Sequence, residues 1–264
     1  MTSESPLPIS VFFIAFNEAD RIGRAVAAVK GFASEIVVVD SRSSDATRQI
    51  AADLGARVIE RDWPGYGPQK RFAEQQCAGP WLLNLDADEV VTAEFEAELR
   101  RLFAAGEPPF AAFETPIAEV FPGEAAPHRL AFSLAPVRLY RKDAGRYSES
   151  PVHDRVDLAP GTRVGRIAAR IHHFSVRSLG EQLAKLNDYS DLQVEDMARR
   201  GKTMPAARLL VEFPMAFFKV FFLRRHFLRG WYGIATAANV AFARHLRLAK
   251  HVERRRVEAL DRKR

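Results

Sequence analysis

Long apolar runs in the first third of the chain predict a set of buried strands. The run ISVFFIAF covers Ile9–Phe16, EIVVVD ends at Asp40, and PWLLNLD ends at Asp86. A shorter run, ARVIER, lies between the second and the last of these. Continuous apolar runs are typical of strands that are covered on both faces, as in a parallel sheet.

Helical patterns separate these runs. RIGRAVAAV carries apolar residues at helical spacing, and SSDATRQIAADLG has capping residues at its start and a glycine at its end. A third helix is expected from about Gln69, after the loop DWPGYG, and a fourth over residues 92–103 with Thr92 as its N-cap. Strands alternating with helices predict an α/β fold with a mostly parallel sheet and flanking helices.

Polar side chains follow three of the predicted strands. Asn17 and Glu18 come after the first run, Asp40 ends the second, and Asp86 and Asp88 end the last. Ligands of such sheets bind beyond the carboxyl ends of the strands. We therefore expect these residues to converge on one edge of the sheet.

The remaining chain has weaker strand patterns and then strong helical ones. Residues 110–121, 135–142 and 162–174 resemble strands, and residues 178–201 form an amphipathic helical pattern. The last segment is rich in Phe with Arg and Lys interleaved. Pro205 and Pro214 are expected to break or kink it, and Gly230 and Gly233 to separate two helices.

Composition fits one large domain, or one domain with an appendage. The chain has 264 residues and one cysteine, Cys77, so an internal disulfide is excluded, and no Cys or His spacing resembles a zinc site. The N-terminus does not resemble a signal peptide, and no apolar run is long enough to span a membrane. These features favour a cytoplasmic protein.

The net charge of +6 conceals an asymmetry along the chain. From Arg199 onward there are 17 Lys and Arg against 4 Asp and Glu, whereas the first 198 residues carry 22 basic and 29 acidic residues. The sequence therefore predicts an acidic domain over residues 1–198 and a basic tail over residues 199–264. Two parts with opposite charge are expected to have different partners.

Asp86 and Asp88 flank the small residue Ala87, just beyond a predicted strand. Two short carboxylates at this spacing suit one hard divalent cation, Mg²⁺ or Mn²⁺, which keeps waters or substrate phosphates as its other ligands. The alternative is a polar turn that caps the helix beginning near Thr92. Capping is also an alternative for Asp40 and for Asn17–Glu18, because a helix follows each of them.

Four ordered segments resemble a known family: ISVFFIAFNEADRI, EIVVVDSRSSDAT, WPGYGPQKRFA and WLLNLDADEVV. Their order and spacing resemble family-2 glycosyltransferases, most closely the bacterial subgroup that builds the lipopolysaccharide core. The resemblance is clear over residues 8–100 and fainter over 130–200. It implies a GT-A fold, with a nucleotide-binding half over about 8–105 and an acceptor half over about 106–198.

The resemblance also implies roles for individual residues. Phe16, Asn17 and Glu18 would line the nucleotide pocket, and Asp40 would contact the base. Asp86 and Asp88 would form the metal-binding DxD pair, which bridges the ribose and the diphosphate of the donor through the metal, and Asp86 would also contact the donor. Lys70 would lie near the donor phosphates, although a solvated lysine at the start of a helix is equally compatible with the sequence.

A single displacement at the sugar requires a base for the acceptor hydroxyl. The segment YSESPVHDRVD carries three titratable candidates: Asp154 first, Glu149 next, and His153 as a further metal or phosphate contact. A solvated acidic loop is the alternative. His172 and His173 are adjacent on a predicted strand, so one of them would face the site and the other would point away. A purely structural pair is the alternative and the more common case.

The Phe-rich basic tail predicts an amphipathic helix lying on an anionic membrane surface. Its expected apolar face is formed by Leu209, Phe213, Phe217, Val220 and Phe221. Core packing against the α/β domain and nucleic-acid binding are the alternatives, and the second is disfavoured because no nucleic-acid module is recognisable.

The resemblance implies a nucleoside-diphosphate-sugar donor and inversion at the anomeric carbon. Together with the other features it predicts a divalent-cation-dependent glycosyltransferase at the cytoplasmic face of the plasma membrane. It would use a nucleoside-diphosphate sugar, with a UDP-sugar expected, and a lipid-linked glycan acceptor, with no nucleic-acid partner. One alternative is a nucleotidyltransferase that makes nucleotide sugars, although the first strand is not followed by a glycine-rich phosphate loop. The other is a non-catalytic membrane- or RNA-binding module.

Overall fold

The computed structural model describes residues 5–151 and 154–261. Two compact units are formed: the first runs up to Val120 and includes Ser133–Ser175, and the second combines Phe121–Phe132 with the chain from Val176 onward. The domain boundary expected between residues 198 and 199 from the charge distribution stays a prediction, as does the division near residue 105.

The first part of the chain alternates strands and helices, as the sequence predicts. Its elements are β1 (Leu7–Ala15), α1 (Ile22–Val29), β2 (Ala33–Asp40), α2 (Thr47–Asp53), β3 (Arg57–Glu60), α3 (Tyr66–Gln76), β4 (Trp81–Asp86), β5 (Glu89–Val90) and α4 (Ala93–Phe103). Thr92 caps α4, since its side chain accepts a hydrogen bond from the backbone N–H of Phe95. Helix α3 begins at Tyr66, three residues before the expected start.

Shorter strands follow up to the end of the first unit. They are β6 (Ala112–Glu114), β7 (Ile117–Glu119), β8 (Ser133–Leu134), β9 (Val137–Arg141), β10 (Gly145–Tyr147), β11 (Val156–Leu158), β12 (Val164–Arg166) and β13 (Ile171–His173).

In the described residues the central sheet has seven strands in the order β12-β6-β9-β4-β1-β2-β3. Strands β3, β2, β1 and β4 are mutually parallel, and β9 runs antiparallel between β4 and β6. Ala15 pairs with Asp40 on one side of β1, and Ile14 pairs with Asp86 on the other. This register brings the carboxyl ends of three strands to one level. The α/β class, with a mostly parallel sheet and flanking helices, is confirmed.

Both faces of this sheet are covered, which explains the continuous apolar runs. On one face Val11 and Phe13 pack with side chains of α1 and α4. On the other face Phe12 and Ile14 pack with Ala73 of α3 and with Cys77, which follows α3. Cys77 is 2% exposed, and burial raises the pKa of its thiol to about 12.

Two predicted strands are each divided in the structure. The pattern over residues 110–121 breaks at Thr115–Pro116, so that β6 lies in the central sheet and β7 in a separate sheet ordered β5-β13-β7-β8. Pro116 has no N–H to continue the ladder, and the N–H of Thr115 bonds to the carbonyl of Pro136. The pattern over residues 162–174 divides in the same way into β12 and β13.

The second unit is helical. It contains α5 (Leu179–Arg199), α6 (Leu209–Phe218) and α7 (Gly230–Asp261), and α5 and α6 both pack on α7. A π-helical turn over Lys219–Leu223 extends α6, and a 3₁₀ turn over His226–Arg229 precedes α7. Among the described helices, none is both long and apolar enough to cross a membrane.

Two expectations about this segment differ from the structure. Pro214 was expected to break or kink the segment, and α6 is not broken there, since it continues through Pro214. The expected apolar outer face is also wrong in part, because Val220 is only 2% exposed while Leu210, outside that face, is 82% exposed.

Candidate active site

A cluster of charged side chains lies beyond the carboxyl end of β4. Asp86 ends β4, Asp88 and Glu89 follow it, Lys70 comes from the second turn of α3, and Arg138 comes from β9. Asp86 and Asp88 lie at the sheet edge where they were expected, and Lys70 contacts Asp86 there.

Lys70 is buried between two carboxylates. Its Nζ lies 2.8 Å from Oδ1 of Asp86 and 2.6 Å from Oδ2 of Asp154. Burial alone would lower the pKa of Lys70, but the charges of Asp86 and Asp154 outweigh burial and raise it. Lys70 is thus a permanent cation within the site and is not the solvated surface lysine considered as the alternative.

Arg138 is a second buried cation, which the sequence analysis missed. Its Nη2 lies 2.9 Å from both Asp86 Oδ2 and Glu89 Oε1, and its Nη1 donates to Asn84 Oδ1. Lys70 and Arg138 outweigh the effect of burial and hold the pKa of Asp86 well below its usual range. The available signal was an arginine between the apolar residues Val137 and Leu139 of β9.

Asp88 faces two other positively charged groups. Its Oδ1 lies 3.2 Å from Nε2 of His173, and its Oδ2 lies 3.5 Å from Nη1 of Arg21. The antiparallel pairing of β13 with β5 sets His173 beside Glu89, which explains why His173, and not His172, faces the motif. Burial would lower the pKa of His173, but Asp88 raises it to about 9.

The crowded carboxylates are therefore compensated within the protein. Asp86 is paired with Lys70 and Arg138, and Asp88 with Arg21 and His173. Crowding of acidic residues in the sequence consequently does not by itself demand a bound cation. In the part of the chain that the structure describes, no three His, Cys, Asp or Glu side chains converge as a metal site.

The turn after β1 is held against the turn after β2. Asn17 has a φ of 53°, its N–H donates to Ser43 Oγ at 2.8 Å, and its Oδ1 accepts from Ser44 N–H at 2.9 Å. The N–H of Glu18 donates to Thr47 Oγ1 at 2.8 Å. Phe16 projects with 58% of its surface exposed, so the turn presents an aromatic face to solvent.

The carboxylate of Asp40 points into this turn. Asp40 is fully buried and accepts hydrogen bonds from the N–H and hydroxyl of Ser43, at 2.7 and 2.5 Å. These contacts close the turn after β2, and Asp40 does not cap α2, whose N-cap is Ala46 with no side-chain hydrogen bond. The role of Asp40 on the nucleotide base stays a prediction.

The loop that carries the expected base packs on the first turn of α3. The N–H groups of Tyr66 and Gly67 donate to the carbonyls of Pro151 and Ser150, at 3.0 and 3.1 Å. Glu149 is exposed on this loop, and Asp154 follows it. His153, expected as a metal or phosphate contact, lies outside the described residues.

Gly67→Ala is expected to disturb this loop. A Cβ at Gly67 would overlap the carbonyl oxygens of Ser148 and Ser150, so we expect a loss of about 1–3 kcal/mol in the free energy of unfolding and slower transfer. Denaturant titration measures the first effect. Gly180→Ala is the matched control, since its Cβ would meet only Ser178 Oγ at 3.9 Å. Equal stability of the two variants would contradict the described packing.

The fold has a counterpart among solved structures. Residues 1–349 of TarS from S. aureus, in a crystal with UDP-GlcNAc, superpose with a TM-score of 0.50 at 13% identity, covering 89% of this chain and 90% of that chain. At this identity the likeness concerns the fold alone. The sheet order and the acidic edge thus define an α/β protein of the GT-A type.

Sequence comparison identifies the family. Residues 10–164 match Glycosyl transferase family 2. A glycosyltransferase of Rickettsia felis is 37% identical over 250 residues, covering 92% of this chain and 88% of the relative. The lipopolysaccharide core biosynthesis glycosyltransferase LpsC of Rhizobium meliloti is 30% identical over 270 residues, covering 96% and 95%. The chain belongs to glycosyltransferase family 2, so the transferase interpretation replaces both alternatives.

Proposed function

We propose that this glycosyltransferase moves a sugar from a nucleoside-diphosphate donor to a lipid-linked glycan, with inversion and with the help of a divalent cation. The observation that carries the proposal is the Asp86–Asp88 pair beside His173, at the sheet edge where α/β proteins bind ligands. A UDP-sugar is the proposed donor, in keeping with the UDP-GlcNAc bound by TarS.

Asp88 and His173 fit a divalent cation. Their facing atoms, Oδ1 and Nε2, are 3.2 Å apart, and neighbouring ligands of an octahedral ion with bonds near 2.1 Å are about 3 Å apart. The carboxylate of Asp88 would supply an oxygen of the kind that Mg²⁺ and Mn²⁺ prefer. His173 would have to release its proton before Nε2 became a ligand. A bound cation would stabilise the negative charge that develops on the departing diphosphate.

Asp86 has a different proposed role. Both of its oxygens are engaged, Oδ1 by Lys70 and Oδ2 by Arg138, so it is better suited to accept a hydrogen bond from the donor ribose than to hold the cation. Lys70 adds a fixed positive charge near the donor. Phe16, Asn17 and Glu18 are the proposed nucleotide contacts, and the exposed ring of Phe16 offers a stacking surface.

Asp154 is the proposed base, with Glu149 as the second candidate. Lys70 holds Oδ2 of Asp154 at 2.6 Å, which orients the carboxylate so that Oδ1 can take the proton of the acceptor hydroxyl. As the oxygen of the acceptor hydroxyl bonds to the anomeric carbon, the bond from that carbon to the diphosphate breaks, and this single displacement inverts the anomeric centre. The nucleoside diphosphate leaves with the electron pair.

The proposed acceptor is a glycan of the lipopolysaccharide core. LpsC of Rhizobium meliloti bears that activity in its name, and the basic charge after residue 198 suits an anionic lipid surface. The protein would accordingly work at the cytoplasmic face of the plasma membrane, attached to the surface without spanning it.

A thermal-shift titration tests the donor site. UDP, GDP and other nucleoside diphosphates are added with and without Mn²⁺, and Mn²⁺ is added alone. We expect UDP with Mn²⁺ to raise the melting temperature most, since a ligand at 100 times its Kd stabilises the native state by about 2.7 kcal/mol. Equal shifts of the melting temperature with and without Mn²⁺ would contradict a role for the cation in donor binding. A larger shift with GDP than with UDP would indicate a GDP-sugar as the donor.

A further inference from the structure

Helix α6 has its charged side inside and its apolar side outside. Glu212 and Ala216 are each 3% exposed, whereas Leu210 is 82%, Met215 is 63% and Phe218 is 56% exposed. A helix on the surface of a protein in water normally shows the opposite arrangement. The outer side of α6 therefore suits an apolar surrounding.

Ion pairs fix this orientation. Glu212 lies 2.7 Å from Nε of Arg208 and 3.1 Å from Nε of Arg244 on α7, and Nη2 of Arg247 is 3.9 Å away. Burial would raise the pKa of Glu212, but its contacts with Arg208 and Arg244 lower it. Because the charged carboxylate is held against α7, rotation of α6 to bury its apolar side would break its contacts with Arg244 and Arg247.

The apolar side continues past the end of α6. The rings of Phe218 and Phe222 are 4.9 Å apart, and those of Phe222 and Phe227 are 6.5 Å apart. Leu223, which lies between Phe222 and Phe227 in the sequence, is 63% exposed. The outer apolar surface, as named here, consists of Leu210, Met215, Phe218, Phe222, Leu223 and Phe227.

The charged residues of this segment of the sequence are all basic. From Phe213 to Val252 the sequence has seven Lys and Arg and no Asp or Glu, and Lys219 and Arg225 are exposed near the outer apolar surface. A second copy of the chain would bring like charges together. A bilayer with anionic headgroups complements both features, since its interior accepts the apolar side chains and its phosphates attract the cations.

We propose that the outer apolar surface inserts into the acyl layer of an anionic membrane, with Lys219 and Arg225 at the level of the lipid phosphates. This rests on the proposed lipid-linked acceptor and specifies how the protein reaches it. The inserted residues differ from the face expected from the sequence, in which Val220 is buried. Insertion makes binding resistant to salt, whereas attachment by charge alone is screened.

The test compares two serine variants in vesicle sedimentation. Leu210→Ser/Met215→Ser/Phe218→Ser removes three members of the surface, and Val257→Ser/Leu260→Ser changes two residues of α7 that are also more than half exposed. With vesicles of phosphatidylcholine and phosphatidylglycerol, we expect the triple variant to bind at least about tenfold more weakly, because each buried apolar side chain contributes to partitioning. The control should bind like the wild type at low and at high salt.

Fluorescence of Trp231 provides a second readout that does not depend on the serine variants. Trp231 is 73% exposed, four residues beyond Phe227. In a Trp63→Phe background, we expect its emission to shift to the blue on binding and to be quenched by brominated lipids. An unchanged spectrum with bound vesicles, or wild-type binding that high salt abolishes, would overturn insertion.

Two further outcomes separate this proposal from others. The wild type could self-associate in solution without binding vesicles, and the triple variant could abolish that self-association. This result would overturn membrane insertion and would show that a second copy of the chain covers the outer apolar surface. Transfer to a delipidated acceptor should be the same in the triple variant and the wild type. If neither transfers sugar while vesicle binding behaves as expected, the proposed function fails and the docking surface stands.

Discussion

Asp88→Asn is expected to reduce glycosyl transfer by at least about 10²-fold, the scale on which the loss of one charge contact in the transition state acts. Asparagine keeps the size of the side chain but removes the negative charge that faces His173 at 3.2 Å and Arg21 at 3.5 Å. A neutral amide is a weak ligand for Mn²⁺ or Mg²⁺. Initial rates of nucleoside-diphosphate release, with donor and acceptor saturating, measure the effect.

The control for this variant is the same substitution at an aspartate outside the proposed site. Asp143 pairs with Arg141 at 2.5 Å and is exposed, so Asp143→Asn should keep the wild-type rate. Circular dichroism should show both variants folded. A rate for Asp88→Asn within a few-fold of the control would remove Asp88 from the proposed cation site.

Lys70→Met is expected to lower the free energy of unfolding by about 3–5 kcal/mol, more than the other variants described here, because it removes one partner of a buried ionic group. Asp154 would lose its 2.6 Å contact and Asp86 its 2.8 Å contact with the ammonium. Denaturant titration near neutral pH measures the loss. Lys185→Met on the exposed side of α5 is the control and should unfold like the wild type.

A double variant and a pH series sharpen this prediction. Lys70→Met/Asp154→Asn should recover part of the loss, because one uncompensated carboxylate is then neutral. The folded-state pKa of Asp86 is depressed, so its contribution to stability is present above its unfolded pKa and is lost as pH falls. Below about pH 5 the difference in the free energy of unfolding between the wild type and Lys70→Met should therefore become smaller. A constant difference would show that the charge of Asp86 does not depend on Lys70.

The sequence predicts the central sheet well, for physical reasons. Val11, Phe12 and Phe13 are buried on alternate faces of one strand, which produces the continuous apolar run from which β1 was predicted. The strand ends at Asp40 and Asp86 follow from the same runs. Thr92 was identifiable as an N-cap because capping is a local interaction, which here joins Thr92 to Phe95 within four consecutive residues.

The missing parts of the site depend on long-range pairing. Arg138 reaches Asp86 and Glu89 only because β9 inserts antiparallel beside β4, and His173 reaches Asp88 only through the pairing of β13 with β5. Neither pairing has a local signal in the sequence. The apolar face expected in the tail was wrong in part for a related reason, since Glu212 faces inward to Arg244, 32 residues away.

The burial of Cys77 has a practical consequence. It is the only cysteine in the chain, and a thiol that is 2% exposed with a pKa near 12 is hardly available to alkylating reagents at neutral pH. A cysteine introduced on the surface would then be the single reactive thiol of the molecule. Spin labels or fluorophores can be attached at chosen positions, one at a time, without first altering the natural sequence.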